Sequence, residues 1–598
     1  MNDSVQFPHV GIRASAGSGK TYKLTSRYLG LLLSGEKPEQ ILATTFTRKA
    51  AGEILERVVT RLAKAVLDSS ACKQLGADVL SREIGQAEAG EALLAVAASL
   101  HRTRISTIDS FFSKIATCFS FELGLPMQWE IVDESEALSM QSAAIDATLR
   151  ADRDSVLSTI RVLAKGRYSR SIASLVRRTV DTIFGAYLIT HRTAWEWLAQ
   201  YPDPDPDVVS QLIEELESAG KMPFPDKRMG PALAKNIASA KSGNFQEFVE
   251  GGFAKKVLEG SNLYQRKPIP EAITVLLTEL IEQARFAVLR ELHERNVATF
   301  ALLSEYEKHL SRQKQYRAGM QFDDITRTLA QEQWLGRMDD IYFRLDGTIR
   351  HMLLDEFQDT SVTQWTVLSR IAKEIVDTGD TGRSILLVGD VKQAIYGWRG
   401  GEAGILDSVG KEFASLEWEH LHQSRRSAPP VIDAVNKVFE GISTNSALRD
   451  DYSAASAWQD GFHTHVTVQK HLDGYVRLEV APDVESDDAS DTVIQHAAAI
   501  TKEWTEKFPT ATIGVLTRTN DAVGKVMAQL RDLHVPASEE GGNPITDSAA
   551  VAILLSLLTL ADHPGDSAAR FHVASSPLGE KLGLENREQR VSGGEARS

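Results

Sequence analysis

The amino-acid sequence predicts an α/β fold of parallel sheets interrupted by large inserted helical domains. Two observations carry this reading. Short β-rich runs alternate with helical periodicity through the first 110 residues and again after residue 350, and such alternation implies a parallel sheet with helices on its faces. Between residues 134 and 317 the pattern is almost wholly helical, dominated by alanine, leucine, glutamate and arginine.

A chain of 598 residues is too long for one core. The expected organisation is a first sheet domain over 1–133 and 321–415, split by a helical domain over 134–320. A second α/β domain over 416–545 follows, and 546–598 begins a second helical insert with a disordered tail. The composition, 42% hydrophobic and 25% charged, is that of a globular protein. Only Cys72 and Cys118 are present, which excludes a disulfide framework and suits a reducing cytoplasm. No run approaches the ~18 apolar residues of a membrane span, so a membrane partner is not expected. A net charge of −15 excludes coating of nucleic acid by bulk charge. It leaves room for a local basic track, and Arg48, Lys49, Lys392, Arg399, Arg425 and Arg426 fall within or beside the motifs below.

Val10 and Ile12 form a weak strand leading into ASAGSGKT at 14–21. In this phosphate loop of Ala14, Ser15, Ala16, Gly17, Ser18 and Gly19, the glycines let backbone N–H groups turn inward around phosphates. Lys20 reaches the β and γ oxygens, and the Thr21 hydroxyl binds Mg²⁺. Residues 41–46 and 105–108 read as further strands, the second ending at Asp109, Ser110 and Phe111. Within the helical region YPDPDPD at 201–207 breaks the helix. Trp195 and Trp197 before it read as packing residues, with an interaction site as the alternative.

The apolar run 352–354 ends in Asp355, Glu356, Gln358 and Asp359. Alone, this could be an acidic loop after an edge strand. Beside a phosphate loop, it reads as a strand end where Asp355 holds Mg²⁺ and Glu356 orients the attacking water. The run 385–388 leads into VGDVKQAIYGWRGG at 388–401, glycine-rich, aromatic and basic. Later, 475–480 (YVRLEV) and 513–516 read as strands around a helix at 492–506, 485–491 as a solvated loop, and 551–560 as an apolar helix.

DEFQDT, with ATTFTRKAAGEILERV at 43–58, STIDSFF at 106–112 and VGDVKQAIYGWRGG, resembles the UvrD/Rep-type superfamily 1 helicases, which are P-loop NTPases with RecA-like sheets. ASAGSGKT, the aspartate of STIDSFF and EEGGNPITDSAAVAILLSLL at 539–558 are closer to the RecB and AddA branch. The resemblance implies ATP- and Mg²⁺-dependent 3′–5′ movement on single-stranded DNA, entry at DNA ends, and an AddB/RecC-like partner subunit. It implies that Gln393 senses the γ-phosphate. It also implies that Tyr396 and Trp398 stack on bases with support from Arg399, and that Thr47, Arg48, Lys49, Ser110 and Phe111 line the strand track. LHQSRRSAPPVIDAVN at 421–436 aligns Arg426 with an arginine that contacts the γ-phosphate from the second motor domain. Here Ser424 and Arg425 depart from the asparagine and aromatic of the family pattern. The family's last motifs and a C-terminal nuclease domain are not found, so the sequence is expected to be an N-terminal part that hydrolyses ATP poorly alone.

Overall fold

In the computed structural model, which describes residues 6–151, 172–331, 338–345, 347–380, 382–397, 400–482, 489–538 and 548–584, six strands form one parallel sheet. They are β1 (Val10–Ala14), β2 (Ile41–Thr45), β3 (Arg104–Thr107), β4 (His351–Leu354), β5 (Ser384–Gly389) and β6 (Glu417–Leu421), in the order β6-β1-β5-β4-β2-β3. Successive side chains point to opposite faces of a strand. Ile41, Ala43, Leu353, Leu386 and Val388 therefore meet helices α1 (Lys20–Leu33) and α2 (Arg48–Leu67) on one face. On the other, Leu42, Met352, Leu354, Ile385 and Leu387 meet α3 (Ile108–Cys118), α4 (Val362–Asp377) and α5 (Ile405–Glu412). Covering both faces is why these strands are nearly continuous apolar runs. A fully buried residue such as Leu353 contributes about 2 kcal/mol.

The helical region enters and leaves through a two-residue parallel ladder, Glu130–Ile131 with Gly319–Met320. A Cβ at Gly319 would lie 2.5 Å from the Val132 side chain, so only glycine fits this neck. From the neck runs the 47-residue helix Glu271–Arg317, about 70 Å long. Its first half buries Ile273, Leu277, Leu280 and Ala284 beside Leu216, Phe248 and Phe253. Its second half buries Leu302, Leu303, Tyr306 and Leu310 beside Met140, Ile145 and Val180. Trp195 packs against the second core, whereas Trp197 is half exposed. The proline run both breaks and restarts helix: Asp205 caps Pro206–Ala219, with Pro206 in the first turn.

Two expectations need correction. The boundary expected at 415/416 falls elsewhere, because β6 pairs with β1 and the first compact unit runs to Gly474. The unit Tyr475–Ser598 shows, among its described residues, helices such as Ala489–Lys507, Asn520–Asp532 and Ala549–Asp562 but no ladder at 475–480 or 513–516. Leu478, Val480 and Leu516 in those segments are almost fully exposed. Alternation favours extended backbone, but a strand also needs a partner edge. The small core of this unit is helical, built on Ile494, Ala498, Val526 and Leu530. Residues 539–547, most of the 485–491 loop and the tail from 585 lie outside the described residues. No described helix is long and apolar enough to cross a membrane.

Candidate nucleotide and strand site

The motif loops leave the C-terminal ends of β1, β2, β3, β4 and β5, the edge where open parallel sheets bind ligands. After β1, Gly17 (φ 71°) and Gly19 (φ 96°) adopt the left-handed conformation that suits glycine. A Cβ on Gly17 would also lie 2.8 Å from Arg426 Cβ. Ala14, by contrast, is still in β1, in register with Leu421, so its methyl group is tolerated where a first glycine would stand. Ser15 N–H donates to the Leu421 carbonyl at 3.0 Å, Ser18 N–H to the Ser15 carbonyl at 3.1 Å, and Ala16 is the exposed tip. The Ser18 Oγ is buried without a hydrogen-bond partner among the described residues. Lys20 and Thr21 open α1, both partly buried.

β4 delivers the acids. Asp355 N–H donates to the Thr44 carbonyl at 2.9 Å, and its carboxyl is buried. Burial, then the charge of Glu356, pushes the Asp355 carboxyl up to about 6 against the pull of Lys20. Glu356 has φ 49°, a left-handed conformation that costs a non-glycine residue about 1–3 kcal/mol. At this kink its Oε2 accepts from Lys20 Nζ at 2.7 Å. Asp359 is also raised to about 6, by burial and then Glu356, and its Oδ1 has no hydrogen-bond partner among the described residues.

Gln358 joins this group to the next loop. Its Nε2 donates to Glu356 Oε2 at 2.8 Å, and its Oε1 accepts from Asp390 N–H at 2.8 Å. Asp390 in turn accepts from Gln393 Nε2 at 2.6 Å and pairs with Lys392 at 3.0 Å. A continuous hydrogen-bonded path thus runs from Lys20 to Gln393. The sequence points to Lys20, Glu356 and Gln393 one by one, and the structure adds Gln358 and Asp390 as the residues that join them. The available signal was an amide between acids at the end of an apolar run.

Arg426 comes from the same compact unit as the phosphate loop, not from a separate domain as expected. Gln423–Ser424 pairs with Val466–Thr467, and Arg425 N–H donates to the Gly17 carbonyl at 2.8 Å. The Ser424 hydroxyl accepts from the N–H groups of Arg426 and Ser427 and so fixes the turn that carries Arg426. An added Cβ on Gly19 would lie 3.8 Å from the Arg425 side chain, which places that side chain beside the loop.

On the strand side, Thr47 caps α2 by accepting from Ala50 N–H at 3.1 Å, and Thr47, Arg48 and Lys49 are exposed on its first turn. Tyr396 packs on Phe46, with ring centroids 4.4 Å apart. Phe46, which the sequence does not single out, directly follows β2. Ser110 is half-buried in the first turn of α3, its hydroxyl 2.8 Å from Thr107 Oγ1. Phe111 is a correction: it is 2% exposed, packed in the core with Phe112 and Ile115, and so holds α3 on the sheet without facing a strand track. Trp398 and Arg399 lie outside the described residues.

The residues fit a magnesium nucleotide. Two left-handed glycines shape the loop, Thr21 and Asp355 are hard oxygen donors, and burial has raised carboxyls that a divalent cation would favour in their ionised form.

Residues 6–414 match the family model described as the UvrD/REP helicase N-terminal domain. Among curated proteins, the chain is similar to an ATP-dependent helicase/nuclease subunit from Bacillus pumilus, 22% identical over 95% of this chain and 51% of that protein. It is also similar to the corresponding helicase/nuclease protein of Streptococcus mutans, at 23% over 95% of this chain and 50% of that protein. The RecB component of the RecBCD enzyme of Escherichia coli is 25% identical over 73% of this chain and 38% of RecB. The chain spans about half the length, or less, of these relatives.

Proposed function

We propose that this chain, which belongs to the UvrD/REP helicase family, is the ATP-hydrolysing motor of a DNA helicase that moves 3′–5′ along single-stranded DNA in double-strand-break repair and recombination. The observation that carries this is the path Lys20, Glu356, Gln358, Asp390, Gln393, which connects the phosphate loop to the loop bearing Tyr396. Polarity, entry at DNA ends, an AddB/RecC-like partner and a cytoplasmic site of action rest on the similarity to the helicase/nuclease and RecB proteins.

In this reading the N–H groups of Ala16, Gly17 and Gly19 cradle the phosphates, and Lys20 moves from Glu356 to the β and γ oxygens. Thr21 and Asp355 would hold Mg²⁺, which when bound offsets charge on the phosphates. Glu356, released from Lys20, accepts a hydrogen bond from the attacking water and aligns it with the γ-phosphorus. Gln393 and Arg426 face the terminal phosphate from two other loops. On the strand side, Thr47, Arg48, Lys49 and Ser110 grip the backbone while Tyr396 and Trp398, with Arg399, stack on bases. Each stacked base is worth about 1–3 kcal/mol without sequence preference.

The test is ATP turnover of the 598-residue chain with and without oligothymidylate, beside Lys20→Ala. Turnover that rises with DNA and vanishes in the variant supports the motor. Binding of both ligands with no turnover reduces these residues to a nucleotide- and DNA-binding module. Displacement of a strand from 5′-tailed but not 3′-tailed duplex would overturn the polarity.

A further inference from the structure

The loop that follows the acids is tied to the strand-contacting helix through one side chain. Ser361 caps α4: its Oγ accepts from Gln364 N–H at 3.1 Å, and Gln364 Oε1 accepts from Ser361 N–H at 3.0 Å. This reciprocal cap uses the amide oxygen of Gln364. The amide nitrogen points elsewhere, donating to Asp109 Oδ1 at 3.1 Å across 255 residues of sequence. Asp109 lies in the first turn of α3, next to Ser110. Ser361 also bridges to Gly401, and Glu402 N–H donates to the Thr360 carbonyl at 3.3 Å, which ties the same loop to the segment bearing Tyr396.

An N-cap alone does not need this arrangement. A serine cap is complete with its own hydroxyl, and a glutamate at Gln364 would return the reciprocal bond equally well. The surplus is the N–H···O bond to Asp109, which is half-buried and links two elements with no sequence neighbourhood. Any shift of the Glu356–Asp359 turn as Lys20 changes partner is carried by Thr360 and Ser361 into Gln364. From there it reaches the first turn of α3.

We propose that Gln364 is a positioning residue that, through Asp109, couples the state of the nucleotide site to the grip of Ser110 on the single strand. This rests on the function proposed above. Coupling between two ligands is reciprocal, so DNA should tighten or loosen nucleotide by the factor that nucleotide changes DNA, typically about 5–150-fold.

The experiment exploits the polarity of the bond. Nucleotide affinity is measured with a fluorescent ATP analogue in the absence and presence of oligothymidylate, along with the DNA-stimulated over basal turnover ratio. Gln364→Glu keeps the cap but sets a carboxylate against Asp109, and the coupling factor should fall to about one. Adding Asp109→Asn to that variant restores the bond with donor and acceptor exchanged, and the coupling should return. Coupling that survives Gln364→Glu, or that the double variant fails to restore, overturns the inference. So does a wild-type chain that binds both ligands without coupling, although ATP and DNA binding would then still stand. A wild-type chain that binds neither overturns the proposed function, and the inference with it.

Discussion

Asn236 in the helical region and Gln358 after β4 are both buried amides, 2% and 1% exposed, and they are used in opposite ways. Asn236 donates to the carbonyls of Phe248 and Gly251 and accepts from the N–H groups of Phe253 and Ala254. Every partner is neutral backbone within one short stretch, so the amide closes a local fold. Gln358 instead spans Glu356, Asp359 and the N–H of Asp390, partners that are mostly ionisable and that come from two strand ends. On the loops after β1 and β4, Ser18 Oγ and Asp359 Oδ1, and within β2 Thr44 Oγ1, are buried without hydrogen-bond partners among the described residues. A satisfied buried network holds a fold, and a partly satisfied one signals a strain reservoir, a catalytic role or a missing ligand. The contrast separates scaffold from site within one compact unit.

That contrast can be broken most sharply at Glu356. Glu356→Gln should keep nucleotide binding and lower DNA-stimulated turnover by about 10²–10⁴-fold, measured by phosphate release. A loss smaller than about tenfold would put the chemistry elsewhere. Asn236→Leu should do the reverse. It leaves the partners of Asn236 unsatisfied at about 1–3 kcal/mol each, so urea unfolding of the helical region should move to markedly lower concentration while nucleotide affinity stays unchanged. If nucleotide affinity fell as well, the two regions would not be separable.

Asp355→Asn probes charge alone. The carboxyl sits near 6 in the folded chain against an unperturbed 3.8, so between those values the native state binds more protons than the unfolded state. Wild-type stability from this group therefore declines as pH rises through that window. In EDTA the variant should be more stable than wild type at about pH 7.5, by on the order of 1–3 kcal/mol, and the gap should close towards about pH 4. A gap that is constant with pH would contradict the assignment. The smallest effect is expected at Ser18. Ser18→Ala removes a buried hydroxyl that has no hydrogen-bond partner among the described residues, so thermal stability without nucleotide should rise slightly, by about 1 kcal/mol. Nucleotide affinity should still fall, and a variant with unchanged affinity would show that this hydroxyl is packing only.

The phosphate loop and the acidic strand end were legible in the sequence because their chemistry demands particular residues in adjacent positions. Phe111 was legible in principle: Ile108, Phe111, Phe112, Ile115 and Ala116 follow the i, i+3, i+4, i+7, i+8 spacing of an inward helix face, and motif wording obscured it. The Phe46–Tyr396 contact and the Gln358–Asp390 bond were not legible, since each joins residues that only the sheet order β5-β4-β2 brings near. The segments 475–480 and 513–516 show the same limit from the other side. Alternation describes one strand and says nothing of its neighbour.

The neck at Gly319 sets a mechanical ratio. The long helix begins at Glu271 and ends at Arg317, two residues before a ladder only two residues wide. Treated as a rigid lever of about 70 Å hinged at that ladder, a turn of about 10° would sweep its far end through about 12 Å. Sub-ångström displacements at the fulcrum would thus be magnified severalfold at the tip, and a bulky side chain at Gly319 would act as a wedge against that rotation.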